Sequence, residues 1–243
     1  MLPPLTIVMT TWMPDGSVGK SRRYSARAAY TSWRIHLNYS GELRLHLADD
    51  GSPVEDLKRA VVGDMRSWPI TISRQQRRGV GASLNAGLYT SWTASPLAAY
   101  FVDDWGLQRP LDLTPWAKLL MEDETVGCVR LGPPHPGLTG EIEMFPQGWG
   151  LRLHPHHFAF SHRPALYHRR FFDAYGYFEE GLSALECERR YAEHFASGPC
   201  VGGPDIIYAL SYPWVHLGKA EVGDITPIGG NRDGIRAVSG RVL

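Results

Sequence analysis

The sequence predicts an α/β protein with a mainly parallel sheet flanked by helices. In the first 106 residues, short apolar runs alternate with segments that repeat apolar residues at helical spacing. Paired aspartates follow two of the apolar runs, and ligands of open α/β sheets bind at the carboxyl ends of the strands. From about residue 133 the sequence is more irregular and rich in Gly, Pro, His and aromatic residues, which predicts short strands and long loops.

Two strand–helix units open the chain. Leu5–Trp12 is apolar and β-branched, and the turn-rich sequence MPDGSVGKS follows it, as expected for a buried strand and its loop. Tyr24–Leu37 has apolar residues at helical spacing, so one face of this helix should pack on the sheet. Glu42–Ala48 is a second strand that leads into DDGSP. The proline stands where the first turn of a helix tolerates it, and Val54–Met65 continues helically.

Two further strands complete the predicted parallel layer. Pro69–Ser73 is a short third strand, the basic sequence QQRRGVG follows it, and Ala82–Trp92 has helical spacing. Ala98–Val102 is the fourth strand. In the second half the sequence predicts two helices, over Ala165–Tyr175 and Ser183–Phe195.

Composition narrows the classes of partner and compartment. Twenty-five basic and 25 acidic residues give zero net charge, so the overall balance does not favour nucleic acid or an anionic membrane. The three cysteines are widely spaced and lack zinc-site spacing, which predicts free thiols in a reducing compartment. No apolar run is long enough to span a bilayer, and the amino terminus lacks a signal-peptide pattern. We therefore expect a soluble, cytoplasmic protein.

The two pairs of adjacent aspartates carry the first functional prediction. Asp103-Asp104 ends a strand, where two carboxylates repel each other unless a cation or hydrogen-bond donors compensate. Oxygen ligands of this kind suit Mg²⁺ or Mn²⁺ bridging a diphosphate. Asp49-Asp50 lies in DDGSP, which also fits a turn followed by a capped helix. A helix cap or a solvated turn is the alternative for both pairs.

Together these motifs resemble the GT-A class of nucleotide-sugar glycosyltransferases, in particular the large inverting family 2, over about Thr6–Gly218. The resemblance implies transfer of a sugar from a nucleotide-diphosphate donor to an acceptor hydroxyl, assisted by a divalent cation, in one GT-A domain. Residues 1–106 would bind the nucleotide sugar, and residues 107–243 would bind the acceptor and carry the catalytic base. The acceptor is left open among a glycan, a protein, a small molecule and a modified nucleic-acid base.

The resemblance also implies roles for residues of the first half. Thr10, Thr11 and Trp12 would line the nucleoside pocket, and Asp50 would contact the base. Asp104 would bind the metal, with Asp103 beside it in the donor site.

One further motif of the first half fits the family, and one position does not. RRGVGASLNAGL resembles the Gly-x-x-x-Asn helix start of the family, which implies Arg78 near the phosphates and Asn85 in the wall of the site. The sequence departs from the family at Val102, where many members carry an acid. Shared metal and ribose roles for the two neighbouring aspartates, Asp103 and Asp104, and a weaker dependence on metal therefore stay open.

The catalytic base is expected in the second half, where ALECERRYAEHF resembles the helix whose first turn carries the family's catalytic carboxylate. By this placement Glu186 is the general base, with Glu188 second and Glu180 third. The alternative is a solvated helix face stabilised by i,i+4 pairs. His216, in YPWVHLGKA, matches a Val-x-His-x-Gly-like element, which implies that it completes the metal or phosphate site.

Two other residue groups receive weaker assignments. A histidine cluster has no cysteine or carboxylate partners at zinc spacing and is interpreted as acceptor-side or structural; it consists of His154, His156, His157 and His162. Four aromatic residues are candidate stacking surfaces for a sugar; they are Trp105, Trp149, Tyr175 and Tyr177.

Three rival functions remain at this point. A sugar-phosphate nucleotidyltransferase shares the α/β layer and the metal carboxylates, but GSVGKS only partly imitates a phosphate loop. A nucleotide-sugar-binding protein without catalysis is the second rival. The third is a nucleic-acid acceptor held in a local basic groove, which would consist of Arg74, Arg77, Arg78, Arg163, Arg169 and Arg170.

Overall fold

The computed structural model contains the predicted alternation of strands and helices. It describes residues 1–63, 68–132, 140–145, 148–153, 160–197, 203–209 and 214–217. The strands are β1 Leu5–Thr11, β2 Leu37–Asn38, β3 Leu43–Asp49, β4 Ile70–Arg74, β5 Leu97–Tyr100, β6 Trp105–Leu107, β7 Leu111–Asp112, β8 Val126–Arg130, β9 Glu141–Phe145, β10 Gly148–Leu153, β11 Ala165–His168, β12 Asp205–Ala209 and β13 Trp214–His216. The helices are α1 Gly16–His36, α2 Leu57–Val62, α3 Gly79–Trp92, α4 Thr114–Glu122, α5 Arg169–Tyr175 and α6 Ala184–Ser197.

One nine-stranded sheet, in the order β4-β3-β1-β5-β11-β8-β12-β10-β9, organises the fold. The strands β4, β3, β1 and β5 are parallel, which brings the carboxyl ends of β1, β3 and β5 to one edge. β11 runs antiparallel between β5 and β8, and the β9–β10 hairpin is antiparallel as well. The predicted α/β architecture is confirmed, with the parallel pattern concentrated in the first half of the chain.

The central strands are buried on both faces, which explains their nearly continuous apolar sequences. On one face Ile7 and Leu45 pack in a cluster with residues of α1 such as Trp33. On the other face Val8 packs in a cluster with residues of α3 such as Leu84. All five side chains are fully buried. The sheet therefore holds the strand ends in fixed positions relative to α1 and α3.

The first helix begins earlier than predicted. The sequence after β1 predicts a loop as far as Tyr24, whereas α1 starts at Gly16, which has φ +80° and follows the extended Asp15. The first turns of α1 have no stripe of apolar residues that would predict a helix. Val18 is the one apolar side chain there, and it is exposed. Most of GSVGKS is therefore helical.

The predicted helix over Ala165–Tyr175 is wrong in its first four residues. Ala165–His168 forms β11 in the middle of the sheet, and the helix begins only at Arg169. A short strand that is buried on both faces has no polar–apolar alternation, so its periodicity cannot be told from that of a helix. Pro164, which precedes the strand, favours extended backbone around it.

Smaller differences concern element ends. α3 begins at Gly79 instead of Ala82, and β5 ends at Tyr100 instead of Val102. Cys128 and Cys187 are buried free thiols, as predicted, and Cys200 lies outside the described residues. In the part of the chain that the structure describes, no helix combines the length and apolarity needed to cross a membrane.

Candidate active site

A cleft of about 720 Å³ opens at the carboxyl ends of β1, β3 and β5. Two sets of residues face each other across it. The first, called here the strand-end wall, consists of residues 10–12, 50, 77–80 and 102–105. The second, called the α6 wall, consists of residues 162, 181–185 and 188. Tyr100, Ser83 and Arg22 also line the cleft.

Asp50 joins the end of β3 to the start of α3. One of its carboxylate oxygens accepts hydrogen bonds from the backbone N–H groups of Arg78 (2.7 Å) and Gly79 (3.1 Å). Its other oxygen accepts from Gly79 N–H at 3.0 Å. A carboxylate at a helix amino terminus satisfies free donors and interacts favourably with the helix dipole. Asp50 therefore fixes α3 and also lines the cleft, while its contact with a nucleobase stays a prediction.

The neighbouring Asp49 has a structural role. Its side chain is fully buried and accepts hydrogen bonds from the Thr11 hydroxyl (3.1 Å) and the Ser52 N–H (3.0 Å). Arg74 Nε also lies 3.1 Å from it. These contacts tie the ends of β1, β3 and β4 together. Asp49 therefore stabilises the strand ends, and of this pair only Asp50 lines the cleft.

The end of β1 presents an aromatic ring between two arginines. The Arg77 guanidinium lies 3.8 Å from the centroid of the Trp12 ring, and that of Arg22 lies 5.6 Å from it. Both distances allow cation–π attraction. The Thr10 hydroxyl lies 3.3 Å from the Tyr100 hydroxyl on the neighbouring strand. All five residues line the cleft, including the predicted Thr10 and Trp12.

Asp103 and Asp104 stand where β5 ends, and both line the cleft. Arg22 Nη1 lies 3.9 Å from Asp103 Oδ2. β13 pairs with β6 so that His216 is opposite Trp105, and the Leu217 N–H donates to the Asp104 carbonyl at 2.6 Å. The backbone of His216 thus lies beside the two aspartates, while its side chain is outside what the structure describes.

Two adjacent carboxylates are oxygen ligands of the kind that Mg²⁺ and Mn²⁺ prefer. Within the described residues, no group of three or more His, Cys, Asp or Glu side chains could hold a metal ion. Asp103 and Asp104 therefore fit a cation that takes its other ligands from a diphosphate, from water or from residues outside the described set. Val102 lines the cleft at the position where the resemblance implies an acid.

Arg78 and Asn85 connect the two walls. The Arg78 guanidinium pairs with Glu180, and the Arg78 carbonyl accepts from Gly181 N–H at 2.7 Å. The buried Asn85 side chain donates to the Phe178 carbonyl at 2.9 Å and accepts from the Phe178 N–H at 3.1 Å. Asn85 therefore supports the wall from behind, whereas Arg78 itself lines the cleft.

Of the three candidate bases, Glu180 pairs with Arg78, and the other two occupy different places on α6. Glu186 is exposed and accepts from the N–H (3.1 Å) and hydroxyl (2.7 Å) of Ser183, a capping box at the start of α6. These hydrogen bonds lower the pKa of the Glu186 carboxyl. Glu188, which lines the cleft, accepts from His162 N–H at 2.5 Å. Glu186 as the base stays a prediction, and the geometry favours Glu188.

His162 is held neutral at the floor of the cleft. Burial, and then the charge of Arg130, lower its pKa to about 3. Its Nδ1 lies 3.3 Å from the Tyr100 hydroxyl. Of the predicted histidine cluster, His162 alone falls within the described residues; residues 154, 156 and 157 lie outside them.

Sequence reasoning missed Arg22 and Tyr100 as residues that line the cleft. Arg22 comes from a segment that was predicted to be a loop, and its helical position in α1 turns it toward Trp12 and Asp103. Tyr100 lies inside a predicted strand, where a tyrosine is most simply interpreted as core. Its place near the carboxyl end of that strand was the available signal.

The predicted basic groove and stacking surfaces are only partly realised. Arg74 pairs with Asp49, Arg169 pairs with Asp173, and Arg170 donates to two backbone carbonyls. Arg77 and Arg78 remain in the cleft. Among the aromatic residues, Trp105 lines the cleft, Trp149 is exposed on β10, Tyr175 is buried, and Tyr177 stacks on Phe172.

The fold matches solved structures of glycosyltransferases. Staphylococcus aureus TarS residues 1–349 with UDP-GlcNAc align at TM-score 0.54 and 14% identity, over 90% of this chain and 61% of that one. GalNAc-T7 with UDP, GalNAc and Mn²⁺ aligns at 0.55 and 14%, over 88% and 44%. The chain has a GT-A fold. The mannosyltransferase PcManGT from Pyrobaculum calidifontis, with GDP-Man and Mn²⁺, aligns at 0.51 and 14%, over 86% and 57%.

These likenesses establish the GT-A fold alone, because each sequence identity is only 14%. The chain spans less than two thirds of each of these three structures. No protein-family model matches the sequence, and no curated protein matches it either.

Proposed function

We propose that the protein is a glycosyltransferase that moves a sugar, of the hexose type, from a nucleotide-diphosphate donor to an acceptor hydroxyl. One observation carries the proposal. Asp50 and the Asp103–Asp104 pair meet Thr10–Trp12 in one cleft at the carboxyl edge of a GT-A sheet. Three proteins with the same fold have been solved with UDP, UDP-GlcNAc or GDP-Man, and two of them with Mn²⁺.

The strand-end wall would bind the donor. The Trp12 ring offers a flat surface for a nucleobase once a stacked guanidinium moves aside, and Asp50 offers a carboxylate edge beside it. Three arginines of the cleft would provide positive charge for the diphosphate; they are Arg22, Arg77 and Arg78. Asp104, with Asp103 and His216 nearby, would hold Mn²⁺ or Mg²⁺. When bound, the cation would neutralise charge on the leaving diphosphate.

Glu188 would act as the general base of an inverting transfer, as in family 2. Its carboxylate takes the proton of the acceptor hydroxyl while that oxygen attacks the anomeric carbon, and the bond from that carbon to the diphosphate oxygen breaks. Glu188 is favoured over Glu186 because it lines the cleft, whereas Glu186 caps α6. Residues 1–106 would serve the donor and residues 107–243 the acceptor.

The rivals have less support. A nucleotidyltransferase would place a phosphate loop after β1, but GSVGKS lies at the start of α1, and Arg22 is the residue of α1 that lines the cleft. A binding protein without catalysis does not require a carboxylate at the position of Glu188. The buried free thiols Cys128 and Cys187 support our expectation of a reducing compartment such as the cytoplasm.

Calorimetric titration with UDP, GDP and their sugars, with and without Mn²⁺, tests donor binding. We expect one nucleotide-diphosphate sugar to bind with an affinity that Mn²⁺ increases, and slow release of the nucleotide diphosphate. Asp104→Asn should remove the effect of Mn²⁺ and lower the release at least about 100-fold. Asp173→Asn, which changes an exposed acid paired with Arg169, is the matched control. Unchanged release from Asp104→Asn with Mn²⁺ present would refute the assignment.

A further inference from the structure

A fully buried arginine lies behind the α6 wall. Arg130, the last residue of β8, is 0% exposed. Its Nη1 donates to the Tyr167 hydroxyl at 3.1 Å, and its guanidinium lies 5.5 Å and 6.0 Å from the ring centroids of Phe160 and Tyr208. Removing a guanidinium from water costs several kcal/mol in proteins. A stable sheet does not require a buried charge at this position, so the contacts of the Arg130 guanidinium indicate its role.

The Arg130 guanidinium reaches the cleft through a single peptide group. Its Nη2 donates to the Ser161 carbonyl at 2.5 Å and contacts the Ser161 hydroxyl at 3.2 Å. The N–H of that same peptide belongs to His162, and it donates to Glu188 Oε1 at 2.5 Å. One planar amide therefore has a cation at its oxygen and a carboxylate at its nitrogen.

This arrangement strengthens both hydrogen bonds. A peptide unit has a dipole of about 3.5 D, and here each end of the dipole faces the charge that stabilises it. Hydrogen bonds that involve an ionised partner are shorter and stronger than neutral ones, and bonds in series polarise one another. In the buried surroundings of Arg130 and Ser161 the effect is weakly screened by water.

We propose that Arg130 is a positioning residue for Glu188, acting through the Ser161–His162 peptide. The chain of contacts fixes one carboxylate oxygen on the His162 N–H and leaves the other oxygen for the acceptor hydroxyl. Without this chain of contacts, the flexible Glu188 side chain would not keep this orientation. The role in proton removal rests on the proposed function, whereas the contact chain itself does not.

The His162 amide resonance tests the contact chain independently of any activity. In ¹⁵N-labelled protein, a short N–H to carboxylate hydrogen bond shifts the amide proton downfield. We expect E188Q to move this resonance upfield and R130M to move it in the same direction. R170M is the matched control, because Arg170 also donates to backbone carbonyls, those of Asp123 and Val126, outside the cleft. An unmoved His162 resonance in E188Q would overturn the proposal.

Kinetics of nucleotide-diphosphate release test the catalytic consequence. R130M should lower kcat about 10-fold, leave the Kd of the nucleotide diphosphate within about twofold, and be partly rescued by R130K, which keeps the charge. If Arg130 acts through Glu188, the double variant R130M/E188Q should be no slower than E188Q alone. If the fold-losses in kcat of the two single variants multiply in the double variant, the proposal is overturned.

The two readouts separate the possible failures. A wild-type protein that binds no nucleotide sugar would refute the proposed function, while the His162 resonance would still decide the contact chain. If R130M does not fold, R130K and E188Q carry the test. R130K should then lower kcat less than about 10-fold and move the His162 resonance slightly upfield, since Lys keeps the charge but not the guanidinium geometry, whereas no resonance shift in E188Q would refute the proposal.

Discussion

The two walls of the cleft are built in different ways. In the strand-end wall, the functional side chains follow parallel neighbours in one sheet, and Asp49 and Asp50 join adjacent elements by hydrogen bonds to nearby backbone and hydroxyl groups. In the α6 wall, Glu188 lies on a helix and accepts a hydrogen bond from the N–H of His162, in the segment that precedes β11. The first wall is therefore set by neighbouring strand ends of one sheet and the hydrogen bonds of two aspartates, whereas the second is set by the packing of α6 against the segment before β11.

This difference suggests a division of labour. Rigid strand ends suit the binding of a nucleotide diphosphate, whose charges need fixed partners. A wall formed by a helix start and connecting segments suits the side where the acceptor must enter, because loops on a rigid scaffold often carry specificity. The contact between the walls, at the start of α3, is then the place where one substitution should disturb both.

Replacing Gly79 with alanine should have the largest effect on stability. Gly79 has φ +86°, and a Cβ there would lie 2.3 Å from the Leu182 carbonyl oxygen in the α6 wall. The strained backbone and the clash should together cost about 2–4 kcal/mol, measured by urea unfolding. Donor affinity should also fall, because the Gly79 N–H donates to Asp50.

The control for that substitution is Gly176→Ala. Gly176 has a similar φ of +78°, but nothing lies within 4 Å of the added Cβ. We expect a cost of about 1–2 kcal/mol from the backbone alone, with donor affinity unchanged. Equal losses in both variants would mean that the walls do not depend on their contact at Gly79.

Acidification should weaken the strand-end side of the molecule through His46. This histidine of β3 is 2% exposed, and burial lowers its pKa to about 4. The unfolded chain, with a pKa near 6.5, takes up the proton first, so stability falls as the pH decreases from about 6.5 to about 4. At pH 5 the contribution of His46 to this loss should be about 2 kcal/mol.

Urea unfolding at pH 7 and pH 5 measures this loss, with His46→Gln as the comparison. Gln does not titrate and can bond to one of the two hydroxyls, Thr71 and Ser73, that the imidazole contacts. The variant should lose less stability than the wild type between the two pH values. A wild type and variant with the same pH dependence would show that His46 is not the group responsible.

Removing the cap of α6 should have the smallest effect. The Ser183 hydroxyl accepts from Glu186 N–H at 3.3 Å, and Ser183→Ala should cost about 1 kcal/mol in unfolding free energy. Arg189→Ala, which removes an exposed i,i+4 pair on the same helix, should cost less than about 0.5 kcal/mol. The reverse order would indicate that surface charge, and not the cap, sets the stability of this wall.

The strand-end wall could be predicted from sequence because strand periodicity and polar strand ends are local signals. The cleft is lined by all six candidate residues of this wall, and their roles in binding stay predictions; they are Thr10, Thr11, Trp12, Asp50, Asp103 and Asp104. The distinct roles of Asp49 and Asp50 could not be predicted, because the partners that define them come from β1, β4 and α3.

The α6 wall could be predicted only as a region. The helix was placed correctly, and the pattern Ser183-x-x-Glu186 was an available signal that Glu186 caps α6. That Glu188 faces the cleft depends on its contact with His162, which the sequence does not show. β11 was missed for the same reason, since its environment is defined by β5 and β8, which are distant in sequence.

Comparing E188Q with E186Q tests the division between the walls most directly. We predict that E188Q keeps the donor Kd within about twofold while the release of nucleotide diphosphate falls at least about 100-fold. E186Q, in which glutamine preserves the cap, should retain both binding and release. If E188Q releases the nucleotide diphosphate at the wild-type rate and E186Q loses most of this activity, the account is contradicted. The general base would then be Glu186, in the first turn of α6.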